Sequence, residues 1–173
     1  GFSVTLDGKP VRTPAKRLLA APRRAIAEAL AAEWDAQTDA IDPARMPLTR
    51  LANSIIDGVT DRRDEVAADI VNYLGSDMLF YRADSPDALV AKQARAWDPI
   101  LRWAADELSA RFLLAEGIVH VRQPDQAIAA ASKALPADSW SVGALHSVTS
   151  LAGSARLALA LMHGVRDARA VWE

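Results

Sequence analysis

The chain contains no cysteine. That excludes disulfides, zinc–thiolate sites, iron–sulfur clusters and cysteine nucleophiles at once, and it fits a reducing compartment. Long apolar runs are missing too: the longest strongly apolar stretch, Leu157 to Met162, is far short of the ~20 residues that cross a bilayer. No secretory signal pattern opens the chain. There is no P-loop or dinucleotide-binding glycine pattern, no nucleophile elbow, and no pair of histidines at metal-ligand spacing. A formal charge of −2 supplies no global field toward nucleic acid or acidic lipid.

At 173 residues, 51% hydrophobic and 24% charged, the chain is long and apolar enough for a sizeable core beneath a charged surface. The first twenty residues read as β. Phe2 to Leu6 alternates, Asp7-Gly8 is a hairpin turn, Pro10 to Thr13 returns, and Arg17 to Ala20 offers a third short run. Pro22 then opens a helix whose stripe is Ile26, Leu30 and Trp34. After Pro43 and Pro47 the clearest helical pattern follows: Leu48, Leu51, Ala52, Ile55, Ile56 and Val59. Asp61 is placed to cap the next helix, which carries Val66, Ile70 and Leu74.

Beyond Ser85-Pro86-Asp87 runs the stripe Leu89, Gln93, Trp97, Ile100, Leu101, Ala104 and Leu108. Asp98-Pro99 inside it implies either a kink or two abutting helices. Phe112 to Val121 reads as a short strand or loop, and Pro124-Asp125 starts another helix. Ser139 to His163 reads as one long helix, apolar over most of its circumference toward the end, as in the buried centre of a bundle. The expected fold is therefore α+β: a small N-terminal β-hairpin and helix domain over residues 1–59, then a larger all-helical domain over residues 60–173.

Chemistry-bearing groups are scattered. His120, His146 and His163 lie far apart, and His146 sits among the small residues Gly143, Ser147, Ser150 and Gly153, which suits a packed histidine better than a ligand. The acids Asp61, Asp64, Glu65 and Asp69 alternate with Arg62 and Arg63, as on a solvated face. The first 24 residues carry Lys9, Arg12, Lys16, Arg17, Arg23 and Arg24 against the single acid Asp7. Two readings stand for them: a hairpin protected by charge, or a docking patch for an acidic partner. Nucleic acid is a weaker third, since Phe2 alone offers a stacking face. Trp34 and Trp97 fall on core stripes. Trp103 is rotated by about 120° from the Trp97 stripe at ~100° per residue. It is a candidate contact residue or a residue buried between domains.

These residues carry a resemblance. Leu6-Asp7-Gly8-Lys9-Pro10-Val11 with Thr13-Pro14-Ala15, Glu33-Trp34-Asp35-Ala36-Gln37 and Met46-Pro47-Leu48-Thr49 are followed by Tyr73-Leu74-Gly75-Ser76-Asp77, Tyr81-Arg82-Ala83, and Gln93 with Trp97-Asp98-Pro99. Their order and spacing resemble the assembly chaperones that bind the α subunit of the F1 sector of ATP synthase. The resemblance implies a non-catalytic protein without cofactor or metal. It would bind the unassembled F1 α subunit transiently, shield the surface that later meets the β subunit, and release it during assembly. No nucleic acid, membrane insertion or small-molecule substrate is implied. It also marks Trp34, Asp35, Pro47, Asp77, Tyr81, Arg82 and Trp97 as structural motif residues; the candidates for partner contact, from helix phase and local charge, are Trp103, Lys9, Arg12 and Arg17. The location expected is a bacterial cytoplasm, or the mitochondrial matrix in a eukaryote. An interaction module for a different client, and an enzyme built on His146 with a carboxylate brought near by folding, are the competing readings.

Overall fold

A computed structural model describes residues 1–172. They form two compact units: residues 1–63 with 138–144, and residues 64–137 with 145–172.

The first unit begins with four two-residue strands, β1 (Phe2–Ser3), β2 (Thr5–Leu6), β3 (Lys9–Pro10) and β4 (Ala20–Ala21). β1 pairs antiparallel with β4, and β2 with β3. The turn between β2 and β3 needs two residues with positive φ, and Asp7 (50°) and Gly8 (77°) supply them. The strands are too short to hold alone, and their connections join them into a ring. Val4 N–H donates to Leu19 C=O, Leu19 N–H to Val11 C=O, and Val11 N–H to Val4 C=O, each at 3.0 Å. The three extended runs thus pair around a closed circuit. The side chains of Val4, Val11 and Leu19 are all buried, a placement worth about 1.5–3 kcal/mol for each fully buried aliphatic side chain.

Against this ring pack α1 (Arg24–Asp35) and α2 (Pro47–Ser54). Ala27 and Leu30 of α1 and Ala52 of α2 complete the core, with Ile26, Trp34, Ile56 and Trp140 at its margin. α2 widens into a π-type turn at Ile55–Val59, where Thr60 N–H reaches Ile55 C=O at 2.9 Å. The helix after it, α3 (Arg63–Ser76), starts two residues beyond Asp61. The Asp61 carboxylate takes the guanidinium of Arg17.

In the second unit, α3 buries Ile70 and Leu74 and leads through one tight turn (Met78–Phe80) into β5 (Tyr81–Arg82). β5 pairs in parallel with β6 (Ala115–Glu116), which lies in the expected strand-or-loop segment. Between them α4 (Asp87–Glu107) runs as one helix through Pro99. The ring removes the N–H that would bond to Arg95 C=O. Arg95 is exposed, so water can serve its carbonyl, and neither abutting helices nor a break is needed. α5 spans Asp125–Ser132.

The segment 139–163 is not one helix. It divides into α6 (Ser139–Ala152) and α7 (Ala155–Met162). Gly153 adopts φ +63°, which a helix interior does not permit, and Ser154 in extended geometry caps α7 by accepting from Leu157 N–H. The apolar stripe crosses this break without interruption and hides it. The expected buried central helix is α7, in which every residue from Ala155 to Ala160 is buried. A short α8 (Ala168–Trp172) follows. Leu79, Ile100, Leu157 and Ala160 form a core here, flanked by Trp97, Trp103, Val165 and Val171.

Candidate functional site

The motif fragments separated in sequence meet one another in space, each within its own unit. Thr13 Oγ1 donates to Asp57 Oδ1 at 2.6 Å, and Ala15 N–H to Asp57 Oδ2 at 3.0 Å. Glu33, at the end of α1, accepts the N–H groups of Leu48 and Thr49, both at 2.7 Å. Those are orphan donors of the first turn of α2, where Pro47 stands at the first position. α1 therefore caps α2 from outside. Trp34 packs on the first core while Asp35 is exposed beside Thr5 and Leu6.

In the second unit Gln93 of α4 accepts Ala83 N–H at 2.8 Å. Arg82 forms an ion pair with Asp98 at 2.8 Å and lies 5.3 Å from the centre of the Trp97 ring. Tyr81 Oη is 3.3 Å from His120 Nδ1.

The centre of this second network is Asp77, completely buried. Its Oδ1 accepts Leu79 N–H at 3.0 Å, and its Oδ2 accepts the Ser154 hydroxyl at 2.9 Å and Arg156 N–H at 3.1 Å. The carboxylate thus occupies the N-terminus of α7, where the orphan donors and the helix dipole favour negative charge. The Arg156 side chain, also without solvent exposure, brings Nη2 to 3.1 Å from Asp77 Oδ1. That approach is an ion pair, and none of the three guanidinium nitrogens has a partner in hydrogen-bond geometry. They are covered by rings instead: the guanidinium carbon stands 3.8 Å from the Phe80 centroid and 4.5 Å from that of Phe112. Burial pushes this guanidinium down from its ordinary value and Asp77 opposes the shift. An arginine always charged in proteins stays charged here.

Sequence reading singled out Asp77, quoted Glu33 in a motif without assigning it a role, and missed Arg156 and Asp57. A lone cation in the apolar run Ala155 to Met162 was the available signal for Arg156. Nothing local marks Glu33 or Asp57, whose partners come from other elements.

The candidates for partner contact fall in different places. Lys9 and Arg12 are exposed, and Arg12 donates to Lys16 C=O at 2.9 Å. Arg17 is engaged internally, by Ile56 C=O at 2.8 Å and by Asp61. Trp103 is half-buried, with its ring 5.5 Å from that of His163, which stands at the C-cap of α7. His146 Nε2 lies 2.7 Å from Asp69 Oδ2 in a partly exposed pair, and no third titratable ligand joins them. Among the described residues there is no cluster of three metal-ligating groups, and no helix is long and apolar enough to cross a membrane.

Two surface features are unusually apolar. The loop after β6 projects Ile118 and Val119, 95% and 72% exposed, with Leu113 and Leu114 half exposed before them. A groove of about 330 Å³ opens in the second unit. One wall is α4, with Leu89, Ala96, Trp97 and Ile100; the other holds Leu157 and Val171. Among the described residues its charged lining is cationic, Lys92 and Arg166.

The family described as ATP12 chaperone protein matches residues 1–105. The Atu1473 protein of Agrobacterium tumefaciens superposes with a TM-score of 0.95 at 48% identity, covering 99% of this chain. Atp12 from Paracoccus denitrificans superposes with a TM-score of 0.91 at 43% identity, covering 98%. The chain spans 65% of the length of the first and 73% of the second.

Proposed function

The chain belongs to the ATP12 chaperone family, and from that membership we propose that it is a non-catalytic assembly chaperone for the F1 sector of ATP synthase. Its client is the unassembled α subunit, whose β-contacting surface it shields until assembly. The observation that carries this reading is the likeness to Paracoccus Atp12 along nearly the whole chain. The physical setting agrees with it. An orphan subunit of a ring exposes apolar interface and aggregates unless covered. A protein that covers it needs apolar contacts with charge beside them, and the Ile118–Val119 tip and the cation-edged groove are of that kind.

Lys9, Arg12 and Trp103 are assigned to client contact; Arg17 contributes less, because Asp61 already holds it. Release follows when the true partner subunit competes for the same surface. The solved relatives come from bacteria, so the compartment proposed is a bacterial cytoplasm.

The test is co-expression of the tagged chain with cognate F1 α and β subunits, followed by pull-down, with a full-length version alongside. Recovery of α without β, with no added nucleotide, is the expected result. Recovery of neither subunit by the full-length protein would overturn the client assignment.

A further inference from the structure

The groove on the second unit carries more than its apolar character. The α4 stripe Leu89, Gln93, Trp97, Ile100 and Ala104 is one continuous helical face, but it is not covered evenly. Ile100 and Ala104 are fully buried, whereas Leu89 is 42% exposed and Ala96 also faces solvent. From Leu89 to Ile100 the open part runs ~16 Å, at ~1.5 Å per residue, which is about three helical turns. The opposite wall supplies Leu157 and Val171.

Charge decides what fits. Lys92 rises on the α4 wall and Arg166 on the other. Neither has an ion-pair partner among the described residues; Arg166 makes only a 3.5 Å contact to its neighbour's carbonyl. Among the described residues, no acid lines the groove. A basic or purely apolar occupant would leave two cations beside a newly desolvated surface, whereas carboxylates on both flanks of an apolar face would satisfy both.

We propose that this groove docks an amphipathic helical segment of the client, about three turns long, with apolar residues facing Trp97 and Leu157 and with Asp or Glu on each side to meet Lys92 and Arg166. The proposal rests on the α-subunit reading above and names the site and chemistry of the contact. Apolar burial on Leu89, Trp97 and Val171 supplies the attraction; the two cations set orientation and select against basic segments.

The experiment uses the full-length protein co-expressed with its F1 α subunit. A photo-reactive benzoylphenylalanine replaces Ala96 in the groove, or Ala129 on the exposed face of α5 as a control. The expected result is a cross-link from position 96 alone, to an α-subunit segment with a carboxylate on either side of an apolar stripe. Lys92→Glu/Arg166→Glu should reduce α capture at least tenfold, with an unchanged melting curve, since neither side chain has an ion-pair partner among the described residues. If that double variant melts early, Lys92→Gln/Arg166→Gln replaces it, and a loss of at least threefold is required. Normal α capture by the charge variants would overturn the groove assignment while leaving the client reading intact. A cross-link from position 96 to a second copy of this chain, or to a basic segment, would do the same. Failure of the unsubstituted protein to capture α at all would overturn both.

Discussion

The two units solve the same problem, positioning short elements, with opposite electrostatics. In the first, the core around Val4, Val11, Leu19 and Leu30 is apolar, and the polar side chains buried in this unit, Thr13 and Thr49, are uncharged. Its polar fastenings lie toward the surface: Arg17 on Asp61, Asp57 on Thr13 and Ala15, Glu33 on the start of α2. In the second, the strongest polar fastening is at the centre, with Asp77 and Arg156 both out of solvent. Surface fastenings are screened and individually dispensable. A buried ion pair is not, because losing one partner strands the other charge where nothing can hydrate it. The first unit should therefore respond to substitution gradually, and the second abruptly.

The largest effect should come from Asp77→Ala, which leaves Arg156 buried and unpaired: about 3–5 kcal/mol of stability lost, read by urea denaturation. The double variant Asp77→Ala/Arg156→Met should recover part of that loss, because it removes the stranded charge rather than the carboxylate alone. If the double variant is no better than the single, hydrogen bonding to Ser154 and the α7 N-terminus, rather than charge, is what Asp77 contributes. Next is Gly143→Ala in the first unit. A Cβ there would sit 2.6 Å from Ile55 Cγ1 and 3.3 Å from Val59 Cγ2, so overpacking of about 1–3 kcal/mol is expected. Adding Ile55→Val should not relieve it, since valine keeps a carbon at that position; Ile55→Ala should.

Glu33→Ala removes the outside cap of α2 and should cost about 1 kcal/mol, within the range for helix N-caps. The smallest effect belongs to Arg17→Ala, and it should vanish in high salt. It also has a pH signature. The hydrogen bond and charge of Arg17 hold the Asp61 carboxyl below its usual range. A depressed folded value means stabilisation that is present above the ordinary carboxylate pKa and is lost as pH falls through the lowered one. The unsubstituted protein should lose more stability than Arg17→Ala on acidification below about pH 4.

What could be read in the sequence was what depends on neighbours in the chain. Asp7-Gly8 announced its turn because two successive positive-φ residues need such side chains, and the helical stripes marked which faces turn inward. The break at Gly153-Ser154 was missed because the apolar periodicity of α6 runs in phase into α7, outweighing a glycine and a serine that each occur inside helices. Pro99 left two readings open, a kinked helix or two abutting ones, and α4 runs through it as one helix. The motif fragments were visible, and their pairing was not. Nothing near Glu33 says that it caps a helix fifteen residues on, and nothing near Asp77 names Arg156. The groove was only half legible: the stripe from Leu89 was evident, whereas its uneven cover depends on where α7 and α8 return.

The separation of Asp77 from its partners also fixes an order of events during synthesis. Ser154 and Arg156 lie 77 and 79 residues further along. At about 5–20 residues per second, the ribosome delivers them roughly 4–16 s after the carboxylate. Through that interval Asp77 can stay in water, and so can each side chain destined to be covered by α7. The second unit cannot close from its N-terminal side onward; it waits for α7, and a nascent chain stalled before Ser154 is itself a protein in need of a chaperone.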